Sequence, residues 1–377
     1  MSEKFRETHL FAFLHQFDEA SMPLDMAFSN YLKSHKSIGA HDRRFLGDTA
    51  YALIRWRALL DYLLCCEPIW EKRYALWKKI DLSSLPDNIP PFIRCGASPW
   101  LFQELTHSYG EAKASELSRI LNEPAPLTIR ANLLKISRDS LLERWKTLHD
   151  AEPCSHSKTG IRFRQRIALT AFPEFKEGLF EIQDEGSQLV SDLIKPSPGE
   201  QFLDYCCGSG GKSLAVAPTM AGRGQIYLHD IRPHILHEAR RRLRRAGIQN
   251  AQFLEPGHLR LNSLKNKIDW VLADVPCSGS GTYRRNPDMK WKANEEMLAG
   301  LIQVQREIFG QALAYVRPGG KIVYATCSLF KRENEEQVEF FLKSFPIELS
   351  APPLSIYPEP NGPDGFFGAQ FCKQTMI

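Results

Sequence analysis

One segment of the chain reads Ile268-Asp-Trp-Val-Leu-Ala-Asp-Val-Pro-Cys277-Ser-Gly-Ser-Gly281. Its apolar run is short, contains β-branched and aromatic residues, and ends in a loop that carries a cysteine. This pattern is typical of a parallel strand buried on both faces. A second segment, Lys321-Ile-Val-Tyr-Ala-Thr-Cys327-Ser328, has the same form. Because ligands bind outside the carboxyl ends of such strands, we expect Cys277, Cys327 and Asp274 to face one crevice. A lone buried cysteine is commonly just a small apolar residue, but two thiols beside a carboxylate indicate covalent chemistry.

Around these two segments, strand-like and helix-like patterns alternate after Gly199. Such alternation predicts an α/β fold with a parallel, doubly wound sheet. The predicted strands are 201–205, 225–229, 251–254, 268–274 and 320–326, and the predicted helices are 212–219, 233–246, 295–316 and 333–344.

The chain before this region divides into two further parts. Apolar residues recur at helical spacing through Leu10–Phe17 and again through Phe45–Trp56, which predicts an all-helical domain over residues 1–122. From Leu127 the pattern changes to short strands around a helix at 137–149, so residues 123–185 are predicted to form a small α/β region. Residues 186–377 then form the third predicted domain.

Composition indicates a globular protein with a real core and a small positive charge. The 377 residues are 43% hydrophobic and 24% charged, with a formal net charge of +4. None of the nine cysteines forms a C-x-x-C pair, and no histidine supplies zinc-ligand spacing, so no metal is predicted. A reducing, cytoplasmic compartment fits best, since neither a signal peptide nor a membrane-length apolar segment is recognisable.

A glycine loop, Phe202-Leu-Asp-Tyr-Cys-Cys-Gly-Ser-Gly-Gly-Lys-Ser213, joins the first predicted strand to the first helix. The P-loop pattern requires glycine where Cys206 stands, and the dinucleotide fingerprint requires one at Ser213. An adenosyl ligand without a pyrophosphate, S-adenosylmethionine, has neither requirement. Asp230 ends the second strand nineteen residues after Gly211, which suits acceptance from ribose hydroxyls, although it also suits a helix N-cap. The predicted cofactor-binding residues are Cys206, Cys207, Gly208, Ser209, Gly210, Gly211, Lys212, Asp230 and Asp274.

Two motifs resemble those of the RsmB/NSUN family of RNA cytosine-C5 methyltransferases. The stretch from Asp274 to Trp291 resembles the family's fourth motif, and Tyr324–Ser328 followed by Glu333-Asn-Glu335 resembles its sixth. Their cysteines lie 50 residues apart, and this pairing is highly specific. Weaker similarities at 41–45, 52–57, 127–132, 183–187 and 364–369 extend the resemblance over nearly the whole chain. The first two of these segments resemble the NusB-like helical domain of the bacterial members.

The resemblance implies a Rossmann-like class I methyltransferase domain with an N-terminal NusB-like RNA-binding domain and a small α/β insert. It also implies formation of 5-methylcytosine in RNA through a covalent bond between cysteine and cytosine C6. Cys327 would be the nucleophile, Cys277 would assist its release, and Asp274 would hold the cytosine. DNA cytosine methyltransferases use a Pro-Cys like that of Cys277 as the nucleophile, so the opposite assignment stays open.

The RNA and its contacts are less well defined by the sequence. Ribosomal RNA is favoured by the NusB-like similarity, transfer RNA stays possible, and no obligate protein partner is indicated. The segment with Arg284, Arg285, Lys290 and Trp291 is placed to contact bases, although ordinary packing is an equally good interpretation of Trp291. The basic run 240–245 suits either a phosphate contact or a solvated helix face.

The sequence departs from the family pattern at two positions, and two other functions remain alternatives. Ser209 stands where the family usually has proline, and the third strand lacks the expected aspartate near 256, for which Glu255 is the nearest substitute. A nucleotide hydrolase built on Lys212 and a non-catalytic RNA-binding protein with a relic methyltransferase fold remain alternatives.

Overall fold

The computed structural model describes residues 3–18, 22–165 and 167–375 of the chain. The chain divides into two compact units, one formed by residues 1–124 with 282–295 and the other by 125–281 with 296–377. The small α/β region and the larger sheet therefore share one unit. The boundaries after residues 122 and 185 stay a prediction.

The first unit is helical. Its helices up to residue 120 are α1 (Glu3–Asp18), α2 (Leu24–Ser34), α3 (Ala40–Arg55), α4 (Arg57–Leu63), α5 (Trp70–Trp77), α6 (Pro91–Arg94), α7 (Pro99–Tyr109) and α8 (Glu111–Ile120). Helix α1 shows why they pack: Leu10, Phe13, Leu14 and Phe17 recur every three or four residues and are all buried. One face of the helix thus enters a shared apolar core.

A small antiparallel sheet opens the second unit. Its strands are β1 (Leu127–Ala131), β2 (Ala151–Pro153), β3 (Gly160–Phe163) and β4 (Phe180–Ile182), in the order β2-β3-β1-β4, with helices α9 (Arg138–Trp145) and α10 (Pro173–Lys176). Trp145 of α9 is buried among the apolar side chains of this sheet. The sequence predicted short strands from Leu127 around a helix at 137–149, and β1 and α9 lie there. It did not place β2, β3 and β4 individually, since runs of three or four residues carry little alternation.

The larger sheet carries the predicted α/β alternation. Its strands are β5 (Gln201–Asp204), β6 (Gln225–His229), β7 (Ala251–Leu254), β8 (Ile268–Asp274), β9 (Val316–Thr326), β10 (Ile347–Leu349), β11 (Leu354–Ile356) and β12 (Phe366–Lys373). The remaining helices are α11 (Glu185–Ser191), α12 (Gly211–Val216), α13 (Pro233–Ala246), α14 (Leu259–Ser263), α15 (Met289–Lys292), α16 (Glu295–Leu313) and α17 (Glu335–Ser344). Helix α15 belongs to the segment that joins the first unit.

The strand order is β10-β12-β9-β8-β5-β6-β7, with β11 paired to β12. Strands β5 to β9 are parallel, as predicted, but β10, β11 and β12 run antiparallel to their neighbours. The parallel arrangement predicted for β5 to β9 is confirmed, and three antiparallel strands that were not predicted extend the sheet at this edge. No crossover helix separates β10, β11 and β12, and parallel pairing requires one.

Strand register sets the position of the site. Asp204 of β5 lies opposite Leu272 of β8, and Asp274 of β8 lies opposite Ala325 of β9. The carboxyl ends of these strands therefore lie at nearly the same level, and the loops after them share one edge. Among the described residues, no helix is both long enough and apolar enough to cross a membrane.

Candidate active site

The two cysteines predicted to meet are in direct contact. The Sγ atoms of Cys277 and Cys327 lie 3.4 Å apart, and the backbone N–H of Cys327 donates to the Cys277 sulfur at 3.3 Å. The hydrogen bond to Cys327 is the main reason that the pKa of Cys277 is raised well above its usual value, and burial and the charge of Glu333 add to it. Cys277 therefore keeps its proton and offers it to the sulfur of Cys327.

A buried carboxylate ties the two thiol loops together. Glu333 is fully buried, and its Oε1 accepts hydrogen bonds from the Ser278 backbone N–H at 2.8 Å and from Gln305 Nε2 at 2.9 Å. Its Oε2 accepts the hydroxyls of Ser278, at 2.6 Å, and of Ser328. Ser278 follows Cys277 and Ser328 follows Cys327, so one side chain fixes the spacing of both cysteines. The sequence named Glu333 within a motif but predicted no role for it.

Asp274 lies beside the thiol loops and is paired with a lysine. Lys212 Nζ donates to Asp274 Oδ2 at 2.5 Å. Burial lowers the pKa of Lys212, but the charge of Asp274 and this hydrogen bond outweigh burial, so the pKa lies above its usual value. Lys212 is therefore protonated at neutral pH, and its ammonium group lies against Asp274.

The glycine loop connects β5 to α12 with two left-handed residues, Gly208 at φ +50° and Gly210 at φ +78°. A Cβ on Gly208 would meet no atom within 4 Å, so the loop leaves room there for a ligand to approach the backbone. A Cβ on Gly210 would come within 2.9 Å of Leu243, so helix packing also demands glycine. Cys206 and Cys207 lie in the same loop, and burial raises the pKa of both thiols. They are inert at neutral pH, unlike an activated thiolate.

Asp230 follows β6 and is almost fully buried beside the loop. Its Oδ2 accepts the backbone N–H of Gly208 at 2.9 Å, and its Oδ1 accepts the Nε and the backbone N–H of Arg232 at 2.9 and 3.0 Å. Burial opposes ionisation, but these hydrogen bonds prevail and hold the pKa of Asp230 below its usual value. The N-cap alternative is not realised, since no side-chain cap hydrogen bond opens the following helix α13.

Known proteins resemble this chain in sequence and in fold. Residues 191–372 match a model of the 16S rRNA methyltransferase family RsmB/F, and residues 98–170 match the ferredoxin-like domain of RsmF/B-like methyltransferases. A probable ribosomal RNA small subunit methyltransferase B of Synechocystis sp. is 32% identical over 295 residues, and the methyltransferase B of Photorhabdus laumondii is 33% identical over 287. The chain belongs to the RsmB/F methyltransferase family.

The matched region covers 73% of this chain and 66% of each of these two relatives. A methyltransferase homologue from Pyrococcus horikoshii, known from its crystal structure, is 28% identical, with a TM-score of 0.67 over 77% of this chain and all of that one. RsmB/F is a family of S-adenosylmethionine-dependent rRNA methyltransferases. The predicted family, the Rossmann-like fold and the S-adenosylmethionine cofactor are confirmed.

Within this RsmB/F fold, one carboxylate was not predicted from the sequence. Asp204 ends β5, is buried, and accepts the Ser213 hydroxyl at 2.7 Å. Burial raises its pKa to about 7, and the charges of Asp274 and Asp230 contribute. Its position at the end of a predicted strand, directly before the glycine loop, could have identified Asp204 as a site residue. Only the residues from Cys206 onward were assigned to the cofactor from the sequence.

The segment after the first thiol motif corrects a prediction. Arg284 and Lys290, expected to contact RNA, are each only 1% exposed in the helical unit. Lys290 Nζ donates to the carbonyl oxygens of Arg55 at 2.7 Å and Gly96 at 2.6 Å, and burial lowers its pKa well below the usual value. Trp291 donates to the Ile54 carbonyl at 2.8 Å. These side chains hold the segment to the helices, so the expected base contacts are wrong for Arg284 and Lys290.

The basic helix α13 divides its arginines between two environments. Arg240, Arg241 and Arg244 are exposed, whereas Arg242 and Arg245 are partly buried and paired with Glu181. The solvated-face and phosphate-contact interpretations both remain open for the exposed three. At the third strand, Glu255 is exposed and therefore accessible to a ligand.

Proposed function

We propose that this protein is an RNA methyltransferase that forms 5-methylcytosine, with ribosomal RNA as its substrate. The observation that carries the proposal is the contact between the Cys277 and Cys327 sulfurs, 3.4 Å apart, at the carboxyl edge of the sheet. Family membership supports the reaction class, and the name that the relatives carry, ribosomal RNA small subunit methyltransferase B, supports the substrate.

Cytosine C5 needs activation before it can accept a methyl group. Addition of the Cys327 thiolate to C6 forms a C–S bond and moves the C5–C6 π electrons onto C5, which becomes nucleophilic. After C5 takes the methyl group, a base removes its proton, the C5–C6 double bond re-forms and the thiolate leaves. S-adenosylmethionine supplies the methyl group on a positively charged sulfur.

The environment of each thiol supports this division of roles. Cys277 holds its proton, so the Cys327 sulfur is assigned as the acceptor in the contact between the two thiols. The same contact lets Cys277 return a proton to the departing sulfur of Cys327. Replacing Cys277 should therefore trap the covalent adduct. Asp274, neutralised by Lys212, is assigned to the N3/N4 edge of the cytosine.

The residues at the glycine loop fit S-adenosylmethionine. Gly208 leaves open space above the backbone, and Asp230 lies beside it as a buried, ionised acceptor. We assign Asp230 to the ribose hydroxyls and residues 206–212 to the methionine part. These roles stay proposals, as does a cytoplasmic location.

Methyl transfer to defined RNA tests the function. Purified protein is incubated with labelled S-adenosylmethionine and unmodified transcripts of small-subunit rRNA or tRNA, and digested RNA is analysed for 5-methylcytidine. We expect label in the rRNA transcript; label in tRNA alone would move the substrate to the alternative. RNA binding without any transfer or cofactor binding would favour the relic-fold alternative, and ATP hydrolysis abolished by Lys212→Ala would favour the hydrolase.

Denaturing gels then test the thiols. Cys327→Ala should abolish transfer and adduct, whereas Cys277→Ala should accumulate a covalent protein–RNA band. Cys372→Ala, which removes a half-buried thiol from β12, is the matched control and should behave as wild type. The mirror-image result would exchange the roles of the two cysteines.

A further inference from the structure

The glycine loop is restrained by one arginine from outside. Arg242 of α13 donates through Nη1 to the carbonyl oxygen of Ser209 at 3.0 Å and to its hydroxyl at 2.5 Å. Ser209 stands between Gly208 and Gly210, both at positive φ. Glycines on both sides of one residue give the backbone unusual freedom, so the loop needs an external contact to hold one shape.

Arg242 is itself held by a buried carboxylate. Glu181 of β4 is only 2% exposed, and its Oε2 accepts Arg242 Nε at 3.1 Å while its Oε1 accepts Arg245 Nη2 at 2.6 Å. Such a pair is pre-organised, because the planar guanidinium is fixed on one edge and presents its other edge to the loop.

A second connection runs from the same part of the small sheet. Gln183, just after β4, donates through Nε2 to the carbonyl oxygen of Gly211 at 3.3 Å. Its Oε1 accepts Arg130 Nε at 2.7 Å. The small sheet thus reaches the loop at Ser209 and at Gly211, two residues apart, through side chains of residues 181 and 183.

We propose that Arg242, held by Glu181, is a positioning residue for the cofactor: it fixes the shape of the glycine loop through Ser209. This inference rests on the proposed placement of S-adenosylmethionine at this loop. A hydroxyl and a carbonyl bound to one guanidinium restrict the backbone at Ser209, as the ring of a proline at that position would.

Calorimetric titration of S-adenosylmethionine into the full chain tests the proposal without relying on catalysis. Arg242→Ala should weaken binding by about tenfold or more, the effect expected when charge-assisted hydrogen bonds that shape a site are removed. Arg244→Ala removes the same charge from an exposed position on the same helix and should bind as wild type. Equal affinity of the two variants would overturn the proposal.

A proline background separates loop positioning from general stability. In Ser209→Pro, the ring replaces the restraint, so adding Arg242→Ala should cost much less affinity than it costs the wild type. An equal cost in both backgrounds would mean that Arg242 acts elsewhere, and the proposal fails. Should Arg242→Ala melt below the titration temperature, Ser209→Gly takes its place and should also weaken binding, because it removes the hydroxyl and adds freedom.

Asp230→Ala distinguishes this inference from the proposed function. If wild type binds and Asp230→Ala does not, the cofactor lies at this loop, and the arginine variants decide the inference alone. Wild-type affinity in Asp230→Ala would refute the proposed cofactor placement and the inference with it.

Discussion

Replacing Glu333 with glutamine should loosen both thiol loops while keeping the shape of the side chain. The amide oxygen can still accept from the Ser278 backbone and from Gln305, but its NH₂ group faces the hydroxyls of Ser278 and Ser328. Two charge-assisted hydrogen bonds, worth about 1.5–3 kcal/mol each, become neutral bonds of about 1 kcal/mol at best. The free energy of unfolding should therefore fall by about 1–4 kcal/mol.

The same change should slow the reaction. Positioned groups lose up to about a hundredfold in rate when they shift by about 1 Å, so we expect methyl transfer to fall at least tenfold in Glu333→Gln. Binding of S-adenosylmethionine should hardly change, because the hydrogen bonds that Glu333 accepts come from the thiol loops and α16 rather than from the glycine loop. The expected signature is thus a large effect on adduct formation and a small one on cofactor affinity.

Urea unfolding, followed by fluorescence and circular dichroism, measures the stability change. Glu336→Gln is the matched control, since Glu336 is exposed near the start of α17 and the substitution is chemically identical. A Glu333→Gln variant as stable and as active as Glu336→Gln would refute the assignment of Glu333 as the link between the thiol loops.

Three further results are expected. In Cys327→Ala, alkylation of Cys277, followed by mass spectrometry, should begin at lower pH than in wild type, because the largest cause of its raised pKa is gone; an unchanged midpoint would contradict this. Asp204 has a folded-state pKa of about 7, raised by burial, so its ionisation destabilises the fold as pH rises from about 4 through 7. The melting temperature of the wild type should therefore fall over this pH range, and Asp204→Asn should make the fall less steep. The same slope in both proteins would contradict the assignment to Asp204. Lys290→Ala should lower the melting temperature by several degrees while Lys36→Ala, at an exposed position of the same helical unit, does not, because buried acceptors lose their donor at about 1–3 kcal/mol each; equal melting curves would contradict the structural role.

The parts of the fold that the sequence predicted best are those with strong local patterns. Strands β5 to β8 begin where the apolar runs begin, and α13 has the predicted bounds because Pro233 opens it and Gly247 closes it. The antiparallel edge strands were missed because β10 and β11 have three residues each, too few for a recognisable alternation.

The candidate site also contains residues that the sequence could predict and residues that it could not. Cysteines and aspartates at strand ends could be predicted because a parallel sheet brings its carboxyl ends to one edge. Glu333 and Arg242 could not, since their roles arise only when distant segments fold together: Glu333 lies 55 residues from Ser278, and Arg242 lies 61 from Glu181. Basic residues near a reactive motif predicted RNA contacts, but Lys290 is instead buried as a donor to backbone carbonyls. Charge alone does not distinguish a surface contact from an internal one.

The thiol contact follows from topology rather than from chain distance. Strands β8 and β9 are adjacent and parallel, and a parallel pair requires a crossover, which here contains the 19-residue helix α16. Asp274 lies opposite Ala325, so Cys277, three residues beyond the first, and Cys327, two residues beyond the second, emerge at the same level. Their separation of 50 residues is therefore the length of one crossover, and the loops need only turn toward each other. Glu333 supplies that turn by accepting hydrogen bonds from the residue after each cysteine.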